Sequence, residues 1–322
     1  MKKTISYIFP IYNESGNIEL LYDTMRRLLV PLEQYEFELI FVNDGSLDNS
    51  LELLRALQVA DPRVTVINFA RNFGHQIAVT AGIDHSTGDA VIIMDSDMQD
   101  PPRVSVELIA KWEEGWDVVY AQRRTRKDGV FKRLTAFLFY WAMSRLADID
   151  IPRNTGDFRL IDRRVVDALS KFKEHNRFLR GLVSYVGFRQ AAVLFDRDER
   201  HAGVTGYPFK KMMKFAIDGV LSFSWAPLKL ITRVGYIISA ASFLMALYAL
   251  LVKLIEPQTA VSGWTFIVIA ISLIGGIQLI MLGVLGGYIG RIYTETQNRP
   301  LYIIESVASR RTKKNTAHAA DS

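Results

Sequence analysis

The sequence predicts an α/β domain with a mostly parallel sheet, followed by amphipathic juxtamembrane helices and two transmembrane helices. Three observations carry that expectation. Short β-branched apolar runs alternate with amphipathic stretches from Lys3 to about Ala121. Polar clusters come directly after those apolar runs. Charges fill the first two thirds of the 322 residues, whereas two long stretches near the C-terminal end carry almost none.

The expected strands are Ile5–Phe9, Phe37–Val42, Val64–Phe69, Val91–Met94 and Val118–Tyr120. Helices are expected between them, near Ile18–Leu29, Leu51–Val59, Ile77–Asp84 and Val104–Trp112. A β-α-β-α order implies a parallel sheet covered by helices on both faces. Ligands of such sheets bind at the carboxyl ends of the strands, so the polar clusters there are the ones to read. Residues 122 to about 206 are less regular and richer in charge, which suits loops and short helices that complete an acceptor side. The α/β domain is therefore expected over residues 1–206.

Residues 207–230 mix Lys210, Lys211 and Lys214 with Met212, Met213, Phe215, Ile217, Phe223 and Trp225, the pattern of an interfacial helix broken near Pro227. The transmembrane region is expected over residues 231–292. Val234–Val252 is uncharged for about 19 residues, roughly the hydrocarbon thickness, and Trp264 to Ile289 is uncharged again. Basic residues bracket these stretches, with Lys229 and Arg233 on one side and Arg310, Arg311, Lys313 and Lys314 on the other. The linker between them carries only Lys253 as a cation. The positive-inside rule then puts both termini and the α/β domain in the cytoplasm of a multi-pass protein of the inner membrane. Gly283, Gly286, Gly287 and Gly290 give small-xxx-small spacings that suit close helix contact, or simply a flexible span. Residues 293–322 are expected to form a cytoplasmic tail, disordered after Ser309.

The net charge of +5, from 39 basic and 34 acidic residues, is too mild to argue for nucleic acid. An anionic membrane surface accounts better for the basic clusters. There is no cysteine, which removes disulfides and thiolate metal sites. The apolar run at Ile5–Tyr12 is broken by Pro10 and followed by Glu14, unlike a signal peptide.

The strongest local pattern is Val91-Ile-Ile-Met-Asp95-Ser-Asp97-Met-Gln99-Asp-Pro-Pro102. Two carboxylates spaced i, i+2 at the end of a strand would point to one side of an extended chain, with Gln99 adding a neutral oxygen. Hard oxygen ligands of this kind suit Mg2+ or Mn2+ held together with a diphosphate. The plainer alternative is an acidic turn ahead of a helix. The first strand runs into Phe9-Pro-Ile-Tyr-Asn-Glu14 and the second into Phe41-Val-Asn-Asp-Gly-Ser46. Asp44 there could accept a uracil imide N–H and Tyr12 could pack on the ring, although Asn-Asp-Gly-Ser alone also reads as a turn.

Taken together, these motifs resemble the family-2 glycosyltransferases of the GT-A fold. Within that family they resemble the polyprenyl-phosphate glycosyltransferases, relatives of dolichyl-phosphate mannose synthase and of the bacterial undecaprenyl-phosphate glucosyltransferases of O-antigen glucosylation. The likeness runs from about Ile5 to Arg299 and includes Pro10-Ile-Tyr-Asn-Glu14, Asn43-Asp-Gly-Ser46, Ala70-Arg-Asn-Phe-Gly-His75, Asp95-Ser-Asp97-Met-Gln99 and Thr155-Gly-Asp-Phe-Arg-Leu160. Ser96 departs from the usual Ala, and either small residue should fit.

The resemblance implies roles. Asp95, Asp97 and Gln99 would hold Mg2+ or Mn2+. Pro10, Tyr12, Glu14, Asp44, Asp95, Ser96 and Arg200 would meet the donor nucleotide, Arg200 from a loop closing over the diphosphate. Arg123, Lys132 and Arg133 would meet the acceptor phosphate, with the neighbouring Arg126 left to solvent or headgroups. Asp157 and Asp97 would be catalytic, Asp157 either as base or as a positioning group, with Arg159 a candidate partner for it. His75 and His201, with no paired metal-ligand spacing, read as structural or hydrogen-bonding residues. The implied reaction is inverting transfer of one sugar from a UDP-sugar, glucose being favoured, to undecaprenyl or another polyprenyl phosphate. A homo-oligomer is plausible by the same resemblance.

Other readings compete. The donor could be a UDP-aminoarabinose derivative or GDP-mannose, or the chain could be a membrane module that binds a nucleotide sugar without turnover. A pyrophosphorylase or a nicotinamide dehydrogenase would need a glycine-rich loop after the first strand, where Pro10-Ile-Tyr-Asn-Glu14 stands. A processive synthase would show Gln-x-x-Arg-Trp and more spans, and neither is found.

Overall fold

The structure, a computed structural model, describes residues 2–124, 152, 155–172, 174–175, 177–196, 226–255 and 264–309. Its first part alternates β1 (Lys3–Ile11), α1 (Ser15–Leu29), β2 (Tyr35–Asn43), α2 (Ser50–Ala60), β3 (Val64–Phe69), α3 (His75–His85), β4 (Ala90–Ile93), α4 (Val104–Glu113) and β5 (Val118–Arg123). These nine elements lie where the sequence patterns put them. Then come β6 (Thr155–Asp162), α5 (Arg163–Leu169), α6 (Leu179–Tyr185), β7 (Gln190–Phe195), α7 (Ala226–Ile255), α8 (Trp264–Thr296) and β8 (Ile304–Ala308).

The strands form one sheet in the order β7-β5-β6-β4-β1-β2-β3-β8. β3, β2, β1 and β4 are mutually parallel. β6 enters antiparallel between β4 and β5, and β8 lies antiparallel along β3. The mostly parallel α/β fold is therefore as expected. Unanticipated are the antiparallel insert β6 and the strand β7, which lie where loops and short helices are expected, and the strand β8, which falls inside residues 293–322.

Burial on both faces explains the apolar strands. All seven residues of β1 from Ile5 to Ile11 are buried, and alternate side chains serve opposite faces. Ile5, Tyr7, Phe9 and Ile11 join Phe37, Leu39 and Phe41 of β2 beneath α1 and α4, with the Phe9 and Phe41 rings stacked 4.8 Å apart. Ile40 and Val42 turn the other way, against Ala78 and Ala81 of α3. Helix α1 buries Ile18, Leu21, Met25 and Leu29, a single stripe at helical spacing. Helix α3 is buried more completely, from Ala78 to Ile83. It lies so close to β1 that a methyl at Gly82 would collide with the Ile8 side chain.

Helices α7 and α8 belong to a second compact unit. Among the described residues, Leu273–Thr296 of α8 is the segment long and apolar enough to cross a membrane, at 24 residues. It overlaps the second expected span, and the first lies within α7. Large apolar side chains stand exposed along both helices, among them Tyr236, Phe243, Tyr248, Ile271, Leu279 and Ile289. The amphipathic helix expected over 207–230 lies mostly outside the described residues.

Candidate active site

Because β1 to β4 run parallel, their carboxyl ends share one edge of the sheet. β6 runs the other way and starts at that edge. Its pairing with β4 ends with Ile93 opposite Arg159, and beyond that point Asp95 and Asp157 both lie beside one imidazole, His75 Nε2 being 3.6 Å from Asp95 Oδ1 and 3.2 Å from Asp157 Oδ2. Two acidic motifs far apart in sequence are thus brought to one edge by the antiparallel direction of β6 and by the turn that follows β4.

After Ile93 the chain leaves the strand and turns over Ser96 and Asp97, with Met98 at a positive φ of 58°. The placement of Asp95 and Asp97 therefore comes from a turn and not from the alternation of an extended strand. The cause is local: Asp97 Oδ1 accepts the Gln99 N–H at 3.1 Å, and the Ser96 hydroxyl donates to the Pro10 carbonyl at 3.2 Å. Ser96 and Asp97 are buried.

Asp157 is 6% exposed and held by three side chains. Arg180 Nε donates to Oδ1 at 2.8 Å, Gln76 Nε2 donates to Oδ2 at 2.9 Å, and His75 Nε2 lies 3.2 Å from Oδ2. Gln76 is itself fixed, since its Oε1 accepts the Leu179 N–H. Burial alone would raise the Asp157 pKa, but the Arg180 charge and the hydrogen bonds of His75 and Arg180 hold it well below the usual carboxylate range. Arg159, suggested by the sequence as its partner, instead donates to the Gly156 carbonyl at 2.9 Å. Arg180 takes the place because α6 brings its guanidinium to the carboxylate, whereas Arg159 is itself buried and turns back along β6.

His75 opens α3 directly after Gly74, whose φ of 101° suits glycine. Its side chain is 43% exposed and its Nε2 is also 3.6 Å from Asp95 Oδ1. Partial burial works against the imidazolium, yet the Asp157 hydrogen bond and the Asp95 charge lift the His75 pKa to about 9. Burial pushes the Asp95 carboxyl up to about 6; His75 opposes this, and Asp157, Asp100 and Asp97 add to it.

Asp44 is 2% exposed, and its oxygens accept the N–H groups of Phe73 (2.6 Å) and Gly74 (2.9 Å). This carboxylate clamps the loop before α3 onto the end of β2. Gly45, at φ 65°, lets the same loop pass so close that a Cβ would lie 2.6 Å from the Asn72 nitrogen. On the β1 side Tyr12 is 44% exposed, and the Asn13 and Glu14 N–H groups donate to the Ser46 and Ser50 hydroxyls. Arg123 Nη2 lies 3.5 Å from Asp100 Oδ1 at the end of β5. Arg200, Lys132, Arg133, Arg126 and His201 lie outside the described residues.

The structure thus groups Asp95, Asp97, Gln99, Asp157 and Asp44 at one sheet edge and adds Arg180 and Gln76, which sequence reasoning missed. Gln76 directly follows the Ala70–His75 motif and was within reach. Nothing in the sequence around Arg180 singles it out.

Among the described residues no three His, Asp or Glu side chains form a ready metal cage. The donor set nevertheless fits a hard divalent cation. Among the described residues no donor hydrogen-bonds to Asp95 Oδ1, a buried oxygen, and burial together with the charge of the surrounding carboxylates raises the Asp95 pKa.

A family model described as Glycosyl transferase family 2 matches residues 6–170. An uncharacterized glycosyltransferase of Bacillus subtilis is 49% identical over 310 residues, which cover 95% of each chain. The bactoprenol glucosyl transferase of Shigella phage SfX is 42% identical over 94% of this chain and 99% of that one. Among solved structures, mannosyl-3-phosphoglycerate synthase from Rubrobacter xylanophilus aligns with a TM-score of 0.47 at 16% identity, covering 73% of this chain and 75% of that one.

Proposed function

The chain belongs to glycosyl transferase family 2, and from that membership we propose that it transfers one glucose from UDP-glucose to a polyprenyl phosphate with inversion. The observation that carries this reading is the gathering of Asp95, Asp97 and Asp157 at the carboxyl edge of the parallel strands, close enough that His75 reaches both Asp95 and Asp157 and that Asp97 and Asp157 act on Asp95 by their charge. The likeness to the bactoprenol glucosyl transferase, nearly end to end, supports glucose and a polyprenol-type lipid acceptor.

In this reading the lipid phosphate oxygen attacks the anomeric carbon, and the C–O bond to the diphosphate breaks with its electron pair leaving on UDP. A phosphate monoester has a second pKa of about 6, so near pH 7 the nucleophile is already largely ionised and needs no strong base. Asp157, committed to Arg180, Gln76 and His75, then serves better as a positioning anion than as a proton acceptor. Asp95, Asp97 and Gln99 would hold Mg2+ or Mn2+, with further ligands from the donor diphosphate. When bound, that cation neutralises charge on the leaving group.

Pro10, Tyr12, Glu14 and Ser96 would border the nucleotide, the exposed Tyr12 ring offering a stacking face. Asp44 would contribute chiefly by holding the loop beside the base, its oxygens being engaged there. Arg200 would close over the diphosphate, and Arg123, Lys132 and Arg133 would receive the acceptor phosphate.

We place the α/β domain and both termini in the cytoplasm, with interfacial helices over 207–230 and two spans within 231–292. Exposed apolar side chains along α7 and α8 need a cover other than water, which supports membrane burial of both. The small-xxx-small spacings of Gly283, Gly286, Gly287 and Gly290 would suit packing of a second copy there.

The test is transfer of radiolabelled sugar from a panel of UDP- and GDP-sugars into undecaprenyl phosphate, in detergent with Mn2+ or Mg2+. Labelled lipid from UDP-glucose alone is expected. Label from another donor corrects the sugar, and nucleotide binding without any labelled lipid removes the transferase reading.

A further inference from the structure

Asn43 and Asn68 are register partners at the carboxyl ends of β2 and β3, and both are buried. Asn43 Nδ2 donates to Asn68 Oδ1 at 2.7 Å, and Asn68 Nδ2 donates to Glu305 Oε2 on β8 at 2.6 Å. The other end of this relay is Asn43 Oδ1, which accepts the Ser46 N–H at 3.4 Å. From Ser46 the contacts continue into the loop after β1. The Ser46 hydroxyl accepts the Asn13 N–H at 3.0 Å, and Asn13 Oδ1 accepts the Leu47 N–H at 2.8 Å.

A side-chain amide has a donor end and an acceptor end, and either can face a given neighbour. An ionised carboxylate can only accept. Glu305 therefore obliges Asn68 to turn its NH2 toward β8 and its oxygen toward β2. Asn43 must answer with its own NH2, which leaves its oxygen facing the Ser46 N–H. A single acceptor at the side of the sheet thus decides which end of an amide meets a loop two strands away.

We propose that Glu305 is a positioning residue that sets the hydrogen-bond polarity of Asn68 and Asn43, and through them the conformation of the Asp44–Leu47 loop. Its consequence for turnover rests on the reading of that loop as part of the donor site; its effect on the loop does not. The strand that follows the last long helix in sequence then acts on the nucleotide edge without touching the nucleotide.

Three variants of the full chain in detergent test this: Glu305→Gln, Glu305→Ala and Glu305→Lys. Amide hydrogen exchange of residues 44–47 and the donor KM are read for each, with thermal unfolding as a check on folding. Glu305→Gln keeps an oxygen for Asn68 and should leave exchange near wild type. Glu305→Ala leaves the amides to water and should speed exchange about threefold. Glu305→Lys presents only donors, flips both amides and sets Asn43 NH2 against the Ser46 N–H. Exchange should then rise about tenfold, beyond the alanine variant, with donor KM following the same order.

Equal exchange in the alanine and lysine variants, or no change in either, overturns the proposal, because loss of a contact alone predicts no penalty for reversed polarity. Exchange in the expected order with donor KM unmoved would uphold the polarity relay and count instead against a donor site at this loop.

Discussion

Asp157 and Arg180, 23 positions apart in sequence, are joined by a 2.8 Å hydrogen bond from Nε to Oδ1 and a 3.4 Å contact from Nη2 to Oδ2. Removing the cation leaves a buried carboxylate with only neutral or shared partners, which costs about 3 kcal/mol of stability when a buried pair is broken. Arg180→Met is expected to lower kcat about 100-fold with little change in donor KM, since the residue orients Asp157 and not the nucleotide. Arg180→Lys should recover part of the loss, keeping charge but not the two-point geometry. Steady-state kinetics on the three proteins decide it, and an effect confined to KM would contradict the assignment.

Asp157→Asn separates the two roles open to this carboxylate. The amide keeps an acceptor oxygen for Arg180 or Gln76 while losing basicity. Turnover reduced about tenfold is expected from a positioning role. A fall to background, with the protein still folded and binding nucleotide, would mean that Asp157 takes a proton.

Asp97→Ala and chelation with EDTA should each abolish transfer, and Mn2+ should restore only the chelated wild type. Calorimetric titration of Mn2+ in the presence of UDP offers a readout besides activity, with binding weakened at least tenfold in the variant. Full activity in EDTA would remove the cation from the reaction.

The absence of native cysteine makes a topology experiment direct. Ser262→Cys in the linker between the helices should react with an impermeant maleimide in intact cells. Ser309→Cys should react only after lysis. Protection of Ser262→Cys before lysis would rule out the two-span arrangement.

Asp61 gives an acid-stability prediction away from the site. Burial would raise its pKa, but hydrogen bonds from Arg63 and from the Tyr22 hydroxyl lower it below the unfolded value. A depressed carboxylate contributes stability above its unfolded pKa, and that contribution is lost as pH falls through the folded one. Asp61→Asn should therefore cost about 2 kcal/mol at pH 7 and much less once the pH falls below the depressed folded pKa. Thermal unfolding across that range measures the convergence, and parallel curves would refute it.

Much of this was legible in the sequence. Runs such as Ile5–Phe9 and Phe37–Val42 are apolar but for Ser6 and Glu38, because both faces of the sheet are covered, and helix α1 between them carries a clear buried stripe. β6 was not legible as a strand, since Thr155-Gly-Asp-Phe-Arg-Leu160 buries a carboxylate and a guanidinium in a place where apolar residues are the rule. β7 buries only Val193 and Phe195, β8 alternates exposed and half-buried positions, and the two are only six and five residues long. The acidic turn announced itself by composition. The partners of Asp157 did not, because Arg180 reaches it through the packing of α6 and not through any spacing along the chain.

The antiparallel seat of β8 on β3 has a practical consequence for handling this protein. All six residues of β3 are buried, and β8 occupies the hydrogen-bonding groups along its outer side. A shortened chain that ends before the long helices would keep every acidic residue of the site yet bare that side of β3. Exposed strands of this kind recruit one another, so such a fragment should aggregate rather than stay in solution. Supplying a peptide that spans residues 300–309 should suppress the aggregation.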